Sequence, residues 1–109
     1  MPIENRLTRD LPASVDEALK TLGANLKTAR GRRDLTVQEM AERIGTSRQL
    51  VADAERGKPT TGVAVYVALL AEYGLLDQLA AVADPGKDRV GLAGALMQRS
   101  RVRHRAGET

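Results

Sequence analysis

The side chains of this sequence that are best suited to recognition chemistry lie in the run Ser47, Arg48 and Gln49, with Asp53 one helical turn further on. An arginine can bridge the two acceptors on the edge of a guanine, and a glutamine can pair with an adenine. A carboxylate can accept from a cytosine amine, or it can instead restrain Arg48 or Arg56. We therefore predict base contacts from Arg48, Gln49 and Asp53. The alternative is a solvated helix face with ordinary surface charges.

Cationic side chains and helix N-termini flank this run and could bind the phosphate backbone of a nucleic acid. The amides at a helix N-terminus point outward and attract anions, and Arg and Lys side chains do so by charge. The candidates for such contacts are Thr36, Arg43, Ser47, Arg56 and Lys58. For Arg43, a purely solubilising charge is an equal alternative.

The sequence contains no constellation that is typical of an enzyme. It has no Cys, a single His at position 104, no G-x-x-x-x-G-K-[ST] phosphate loop and no glycine fingerprint in a strand–helix context. Its Asp and Glu residues are scattered, without a paired set in an apolar pocket. We predict a non-enzymatic protein without a cofactor. Without Cys, disulfides and thiolate metal sites are excluded.

Two short helices joined by a tight turn must position the recognition residues. Thr36 and Glu39 make a T-x-x-E capping box, which predicts a helix that starts at Thr36. Gly45 can end it in the left-handed conformation, and Ser47 can cap the next helix. In that second helix we expect residues 50, 51 and 54 to point inward and residues 48, 49, 52 and 53 to point outward. Three residues are expected to set the crossing of the two helices, with a small side chain at Ala41: Ala41, Gly45 and Val51.

The remainder of the chain divides around this pair of helices. Residues 1–13 are predicted to be a flexible arm, residues 14–83 the helix-turn-helix domain, and residues 84–109 a basic tail without a clear element. Ser14 and Glu17 predict a capped helix that runs to residue 32 or 33. Thr61 is expected to cap a fourth helix over 62–73, and a fifth is expected over 75–82. The fold class is all-α.

Charge is distributed unevenly along the 109 residues, although the net charge is only +3. Residues 63–86 contain three acidic residues and no basic one, whereas residues 87–109 contain six basic and two acidic residues. This polarity suits a protein with one nucleic-acid face. No segment approaches the roughly 20 apolar residues of a membrane span, and the N-terminus lacks the apolar run of a signal peptide. We expect a cytoplasmic, nucleoid-associated protein without a membrane partner.

The run 35–57 and its flanks resemble the helix-turn-helix of the Cro/C1-type (XRE) family of bacterial and phage regulators. The matching residues are Arg30, Leu35, Thr36, Glu39, Ala41, Ile44, Gly45, Ser47, Arg48, Val51, Glu55, Arg56, Gly57 and Lys58. The resemblance implies a compact five-helix, lambda-repressor-like DNA-binding domain, in which Arg30 and Glu55 form a partly buried, structural ion pair. The family often has a Gln at the first position of the leading helix, where it supports a phosphate contact. Here that position is Val37, with Gln38 adjacent as a candidate backbone contact.

Together these features predict a sequence-specific transcriptional repressor that binds a pseudo-palindromic double-stranded operator as a homodimer. Half-sites about 10 base pairs apart would suit two recognition helices, and the dimer surface is expected within residues 61–82. The overall layout is similar to antitoxins of the HipB type, which implies autoregulation and a HipA-like kinase toxin as partner. The alternatives are a phage-type or metabolic repressor without a toxin, and a protein-interaction module that uses the same fold.

The basic run 99–105 leaves three interpretations open. It could contact DNA a second time, dock an acidic protein partner, or simply keep the C-terminus soluble. The single His lies in this run, where a solvated side chain is the expected state.

Overall fold

Aliphatic side chains and two tyrosines build the core, because the sequence has no Phe or Trp to fill it. The computed structural model describes the backbone of residues 5–107 and the side chains of residues 5–101. Within that part of the chain it has seven helices and no strand: α1 (Arg6–Arg9), α2 (Ala13–Arg32), α3 (Val37–Ile44), α4 (Arg48–Glu55), α5 (Val63–Glu72), α6 (Leu76–Ala80) and α7 (Arg89–Gly107). The predicted all-α class is therefore confirmed.

The chain divides into two compact units, and the boundary falls after Leu76. In the first unit α4 packs against α2, α3 and α5, and α3 also packs against α5. The largest fully buried side chains come from these four helices: Leu26, Met40, Val51 and Leu69. The second unit contains α7.

The start of α2 differs from the prediction. Pro12, and not Ser14, is the N-cap residue, and the carbonyl of Pro12 accepts from the amides of Val15 and Asp16 at 3.0 Å. Proline is preset for this position because its ring fixes φ near the required value and it has no N–H to satisfy. The capping box predicted at Ser14 and Glu17 is therefore wrong, since both residues already lie inside the helix.

The start of α5 is also not capped as predicted. Gly62 is the N-cap residue and α5 begins at Val63, whereas Thr61 lies in the preceding turn. The amide of Thr61 donates to the carbonyl of Lys58, and the residue is buried, so its hydroxyl is not placed to cap.

Both chain ends hold helices in addition to the five predicted ones. In the predicted arm, the side chain of Asn5 caps α1 by accepting from the amide of Leu7 at 3.0 Å. In the predicted tail, Asp88 accepts from the amide of Gly91 at 2.9 Å at the start of α7. Ala, Leu, Met, Gln and Arg dominate α7, and their helix propensity outweighs the penalty of the glycines there. Residues 1–4 and 108–109, and the side chain at position 104, lie outside the described residues.

Two glycines lie where the backbone of α2 comes close to the end of α4. A Cβ atom on Gly23 would lie 2.6 Å from the carbonyl oxygen of Ala54, which is a clash with backbone. Gly57, at φ +69°, would bring a Cβ within 2.5 Å of the carbonyl oxygen of Leu19. The backbone of α2 and the C-terminal end of α4 therefore meet where only glycine fits.

This crossing predicts opposite effects for two Gly→Ala substitutions in α2. Gly23→Ala should lower the free energy of unfolding by about 2–3 kcal/mol, because its Cβ meets backbone that must shift. Gly31→Ala is the matched control, since a Cβ there meets nothing within 4 Å. That control should raise stability by roughly 0.5 kcal/mol through helix propensity. Urea denaturation of both variants tests this, and equal stabilities would contradict the close crossing.

Candidate nucleic-acid interface

Local hydrogen bonds define the start of α3 as predicted. The hydroxyl of Thr36 accepts from the amide of Glu39 at 3.0 Å, and the Glu39 carboxylate accepts from the amide of Thr36 at 3.0 Å. This reciprocal pair is the predicted capping box. The hydrogen bond that the Glu39 carboxylate accepts from the Thr36 amide lowers the pKa of Glu39, and the interaction with the Thr36 side chain lowers it further.

The turn between α3 and α4 also follows the prediction. Gly45 adopts the left-handed conformation at φ 76°, and the amides of Gly45 and Thr46 both donate to the carbonyl of Ala41. Ser47 caps α4 by accepting from the amide of Leu50 at 3.1 Å. Ala41 and Val51 are buried on the facing sides of the two helices. These contacts fix the direction in which the N-terminal end of α4 leaves the core.

The faces of α4 are only partly those predicted. Val51 and Ala54 are fully buried, and Arg48 and Gln49 are exposed, as expected. Leu50, expected to point inward, is 38% exposed because it lies at the edge of the buried stripe. Asp53, expected to point outward, is buried and bonds to Gln49 and Lys58. Both orientations were therefore predicted wrongly.

Asp53 is the centre of a polar cluster on α4 and the loop after it. Its Oδ1 atom accepts from Nε2 of Gln49 at 2.8 Å and from the guanidinium of Arg56. Its Oδ2 atom lies 3.5 Å from Nζ of Lys58. The hydrogen bond from Gln49, with the charges of Lys58 and Arg56, lowers the pKa of Asp53. Of the two roles predicted for this carboxylate, restraint of Arg56 is the one that the contacts provide.

A bidentate ion pair joins α2 to the end of α4. The Nε and Nη2 atoms of Arg30 donate to the two carboxylate oxygens of Glu55 at 2.7 and 2.9 Å, and Nη1 donates to the carbonyl of Leu35 at 2.9 Å. The side chains are 17% and 6% exposed, respectively. The hydrogen bond to Glu55 raises the pKa of Arg30. This is the ion pair that the resemblance implies.

A second arginine, at the C-terminal end of α2, bonds to the end of α5. The sequence patterns did not indicate this contact. The guanidinium of Arg33 donates to the carbonyls of Ala29 and Tyr73, and it lies 5.2 Å from the centre of the Tyr73 ring. Burial raises the pKa of Tyr73 to about 12, so this ring stays neutral beside the cation. A cation over an aromatic face is attracted by the ring quadrupole.

The candidate backbone contacts are not equally free to bind phosphate. Gln38 donates to Glu42 at 3.1 Å, and Arg43 lies 3.6 Å from Glu72 on α5. Arg56 and Lys58 are at least half exposed although Asp53 holds them. Within the described residues, Arg48 has no hydrogen-bond or ion-pair partner.

An open groove of about 580 Å³ brings the helix N-termini and Arg48 together. It is lined by Arg30, Gly31, Asp34, Leu35, Thr36, Val37, Gln38 and Arg48. α3 and α4 both begin at the edge of this groove. The amides of the two helix N-termini therefore border it, together with Arg48, whose guanidinium has no partner among the described residues. Such a surface can accept a phosphate group. No cluster of His, Cys, Asp and Glu that could hold a metal ion occurs among the described residues.

Comparison with known proteins identifies the family. A family model described as a helix-turn-helix domain matches residues 21–83, more than half of the chain. The chain belongs to this helix-turn-helix family. Membership agrees with the Cro/C1-type resemblance and indicates a DNA-binding regulator; such families are typically not enzymes. Searches of curated proteins and of solved structures found no match. Within residues 5–107, no helix has the length and apolar composition needed to cross a membrane.

The Arg30–Glu55 pair predicts that Glu55→Ala acts on stability and leaves base preference unchanged. Removal of the carboxylate leaves the Arg30 guanidinium largely buried without its partner, which should lower the free energy of unfolding by about 3 kcal/mol. Glu17→Ala on the exposed face of α2 is the control and should change stability by less than about 0.5 kcal/mol. Thermal melts and binding to a set of DNA sequences test this. A changed base preference with an unchanged melting temperature would contradict a structural role.

Proposed function

We propose that this helix-turn-helix protein is a sequence-specific transcriptional repressor that reads its operator with Arg48 and Gln49. The observation that carries the proposal is the position of these two side chains. Both are exposed at the N-terminal end of α4, and the guanidinium of Arg48 is unpaired among the described residues. The N-terminal residues of a recognition helix are those that contact base edges in the major groove.

The same surface supports contacts to the phosphate backbone on both sides of α4. The N-termini of α3 and α4, capped by Thr36 and Ser47, supply amides near the groove, and Arg56 and Lys58 follow the helix. Gln38 is a further candidate at the start of α3. Arg43 is also a candidate; like Arg56 and Lys58 it lies near a carboxylate, here that of Glu72 at 3.6 Å. Phosphate contacts orient a protein on DNA, and base contacts provide its sequence preference.

We further propose that the protein binds a pseudo-palindromic operator as a homodimer. Two recognition helices in successive major grooves require half-sites about 10 base pairs apart. The proposed dimer surface lies within residues 61–82. Val63 at the start of α5 is 74% exposed and Leu76 is 45% exposed, so this segment presents apolar area that a second copy could cover. A dimer bound over a promoter would block polymerase, so the proposed activity is repression. The proposed location is the cytoplasm, at the nucleoid.

Binding to the DNA upstream of the protein's own gene tests the repressor proposal. Arg48→Ala should weaken binding to the preferred sequence about 10-fold or more and relax the preference at one base pair. Lys58→Ala should weaken binding to all sequences alike and reduce the salt slope by about one unit. Arg6→Ala in α1 is the control for the loss of one positive charge. Mobility shifts across a salt series measure these effects, and salt-sensitive binding without any sequence preference would contradict the proposal.

A second proposal is that the repressor is an autoregulatory antitoxin and that α7 helps to bind its HipA-like kinase toxin. α7 exposes Leu92, Leu96 and Met97 and carries Arg99 and Arg101 further along. An exposed apolar patch next to like charges is a feature of protein-binding surfaces. This observation supports a protein partner for α7, and the antitoxin proposal supplies one. The exposed Arg48 and Gln49 argue against a module that binds only protein.

The antitoxin proposal predicts a kinase-like gene next to this one and co-purification of its product. Leu92→Asp with Leu96→Asp should abolish co-purification and leave operator binding intact, because the two residues lie one turn apart on α7 and outside the matched domain. Gln98→Asp, on a different side of the same helix, is the control. Operator binding without any stable protein partner would favour a repressor that has no toxin.

A further inference from the structure

A buried carboxylate on the recognition helix joins the base-reading end of α4 to the loop that follows it. The side chain of Asp53 is 6% exposed, yet it lies between Gln49, one turn earlier, and two cations that follow. The amide of Lys58 also donates to the carbonyl of Asp53 at 3.0 Å, which holds the loop against the helix. Asp53 therefore bonds to Gln49, which is proposed to contact a base, and to Arg56 and Lys58, which are proposed to contact the DNA backbone.

The chemistry of a carboxylate determines which way the Gln49 amide faces. An ionised carboxylate only accepts hydrogen bonds, so it selects the nitrogen of the amide and excludes the oxygen. The 2.8 Å bond from Nε2 of Gln49 to Oδ1 of Asp53 has this orientation. It leaves Oε1 and one N–H of Gln49 for an outside partner. An acceptor beside a donor is the pattern that complements the N6 amine and N7 atom of adenine.

The cations complete the arrangement. Arg56 and Lys58 balance the charge of Asp53, and each remains at least half exposed, so each keeps N–H groups for phosphate oxygens. For Asp53 to contact a base directly, its carboxylate would have to break the hydrogen bond with Gln49 and become exposed. The contacts thus favour a carboxylate that acts through its neighbours.

We propose that Asp53 is a positioning residue that fixes the Gln49 amide for reading adenine and holds Arg56 and Lys58 beside the DNA backbone, without contacting a base itself. The inference rests on the proposed function, since it assigns roles within the same DNA-reading surface. It replaces the base contact that the sequence pattern predicts for Asp53 with an indirect role.

The test compares wild type, Gln49→Ala, Asp53→Asn and the double variant on operators in which every base pair is replaced in turn. Asparagine keeps the shape of Asp53 but can both donate and accept, so it allows the Gln49 amide to flip. We expect Asp53→Asn to reduce the preference for adenine roughly tenfold at the base pair that Gln49→Ala identifies, and nowhere else. In the Gln49→Ala background, Asp53→Asn should change no base preference. Asp16→Asn on α2 is the control for the loss of one surface carboxylate.

Each outcome supports or overturns the inference. Loss of preference at the Gln49 base pair alone supports it, because a general loss of stability would weaken all operators alike. Loss at another base pair that Gln49→Ala leaves unchanged would show direct contact by Asp53, and uniform weakening without any loss of preference at the Gln49 base pair would show that Asp53 does not position Gln49; both overturn it. Uniform weakening that accompanies the loss at the Gln49 base pair supports it, because Arg56 and Lys58 are then released as well. A wild-type protein that prefers no sequence would overturn the proposed function itself. An intact wild-type preference together with unchanged preferences in Asp53→Asn would overturn only the inference.

A measurement on the wild-type protein keeps the test decisive if Asp53→Asn does not fold. The side-chain amide of Gln49 should be rigid by nuclear magnetic resonance relaxation, with an order parameter well above about 0.6. The amides of Gln78 and Gln98, which are exposed and have no partner among the described residues, are the matched references. Equal mobility of the three amides would overturn the inference.

Discussion

The approach of α2 to the C-terminal end of α4 at Gly23 and Gly57 is the constraint on which the proposed DNA-reading surface depends. Backbone atoms meet at van der Waals distance there, so the two helices can neither slide nor separate without losing the contact. The Arg30–Glu55 ion pair adds a directional bond between the same two helices. One end of α4 is thereby fixed to α2, and the capped turn before Ser47 fixes the other. Arg48 and Gln49 lie at an end whose position the core determines.

The eight residues of α4 have separate tasks because a two-turn helix presents only a few positions to each neighbour. Val51 and Ala54 fill the core, and Glu55 bonds to α2. Arg48 and Gln49 face outward. Asp53 belongs to neither face, since it is buried and yet bonds to the polar side chains of Gln49, Arg56 and Lys58. The loop after α4 is therefore part of the proposed recognition surface, because Arg56 and Lys58 both contact Asp53.

Features that depend on a few neighbouring residues could be predicted from the sequence, and features that depend on distant residues could not. The Thr36–Glu39 capping box, the left-handed Gly45 and the Ser47 cap are each decided within four residues. The burial of Asp53 depends on where the loop places Lys58, and periodicity carries no such information. The close crossing of α2 and α4 has one indication in the sequence, which is Gly23 in the middle of α2. A glycine there is unfavourable unless packing requires it. The failed caps at Ser14 and Thr61 show that a matching motif loses to a better-placed proline or glycine nearby.

The two side chains that we propose to contact bases, Arg48 and Gln49, differ in how much conformational freedom they can still lose on binding. An exposed arginine or glutamine gives up side-chain entropy of the order of 1–2 kcal/mol when it is immobilised. Gln49 has already lost part of that freedom in the folded protein, because Asp53 holds its amide. Arg48 has no such partner among the described residues, so its ordering must accompany binding. A pre-ordered glutamine should discriminate sharply and adapt poorly, whereas a free arginine can find a guanine acceptor over a wider range of geometries. For the proposed base contacts, this difference predicts the stricter discrimination at the base pair opposite Gln49.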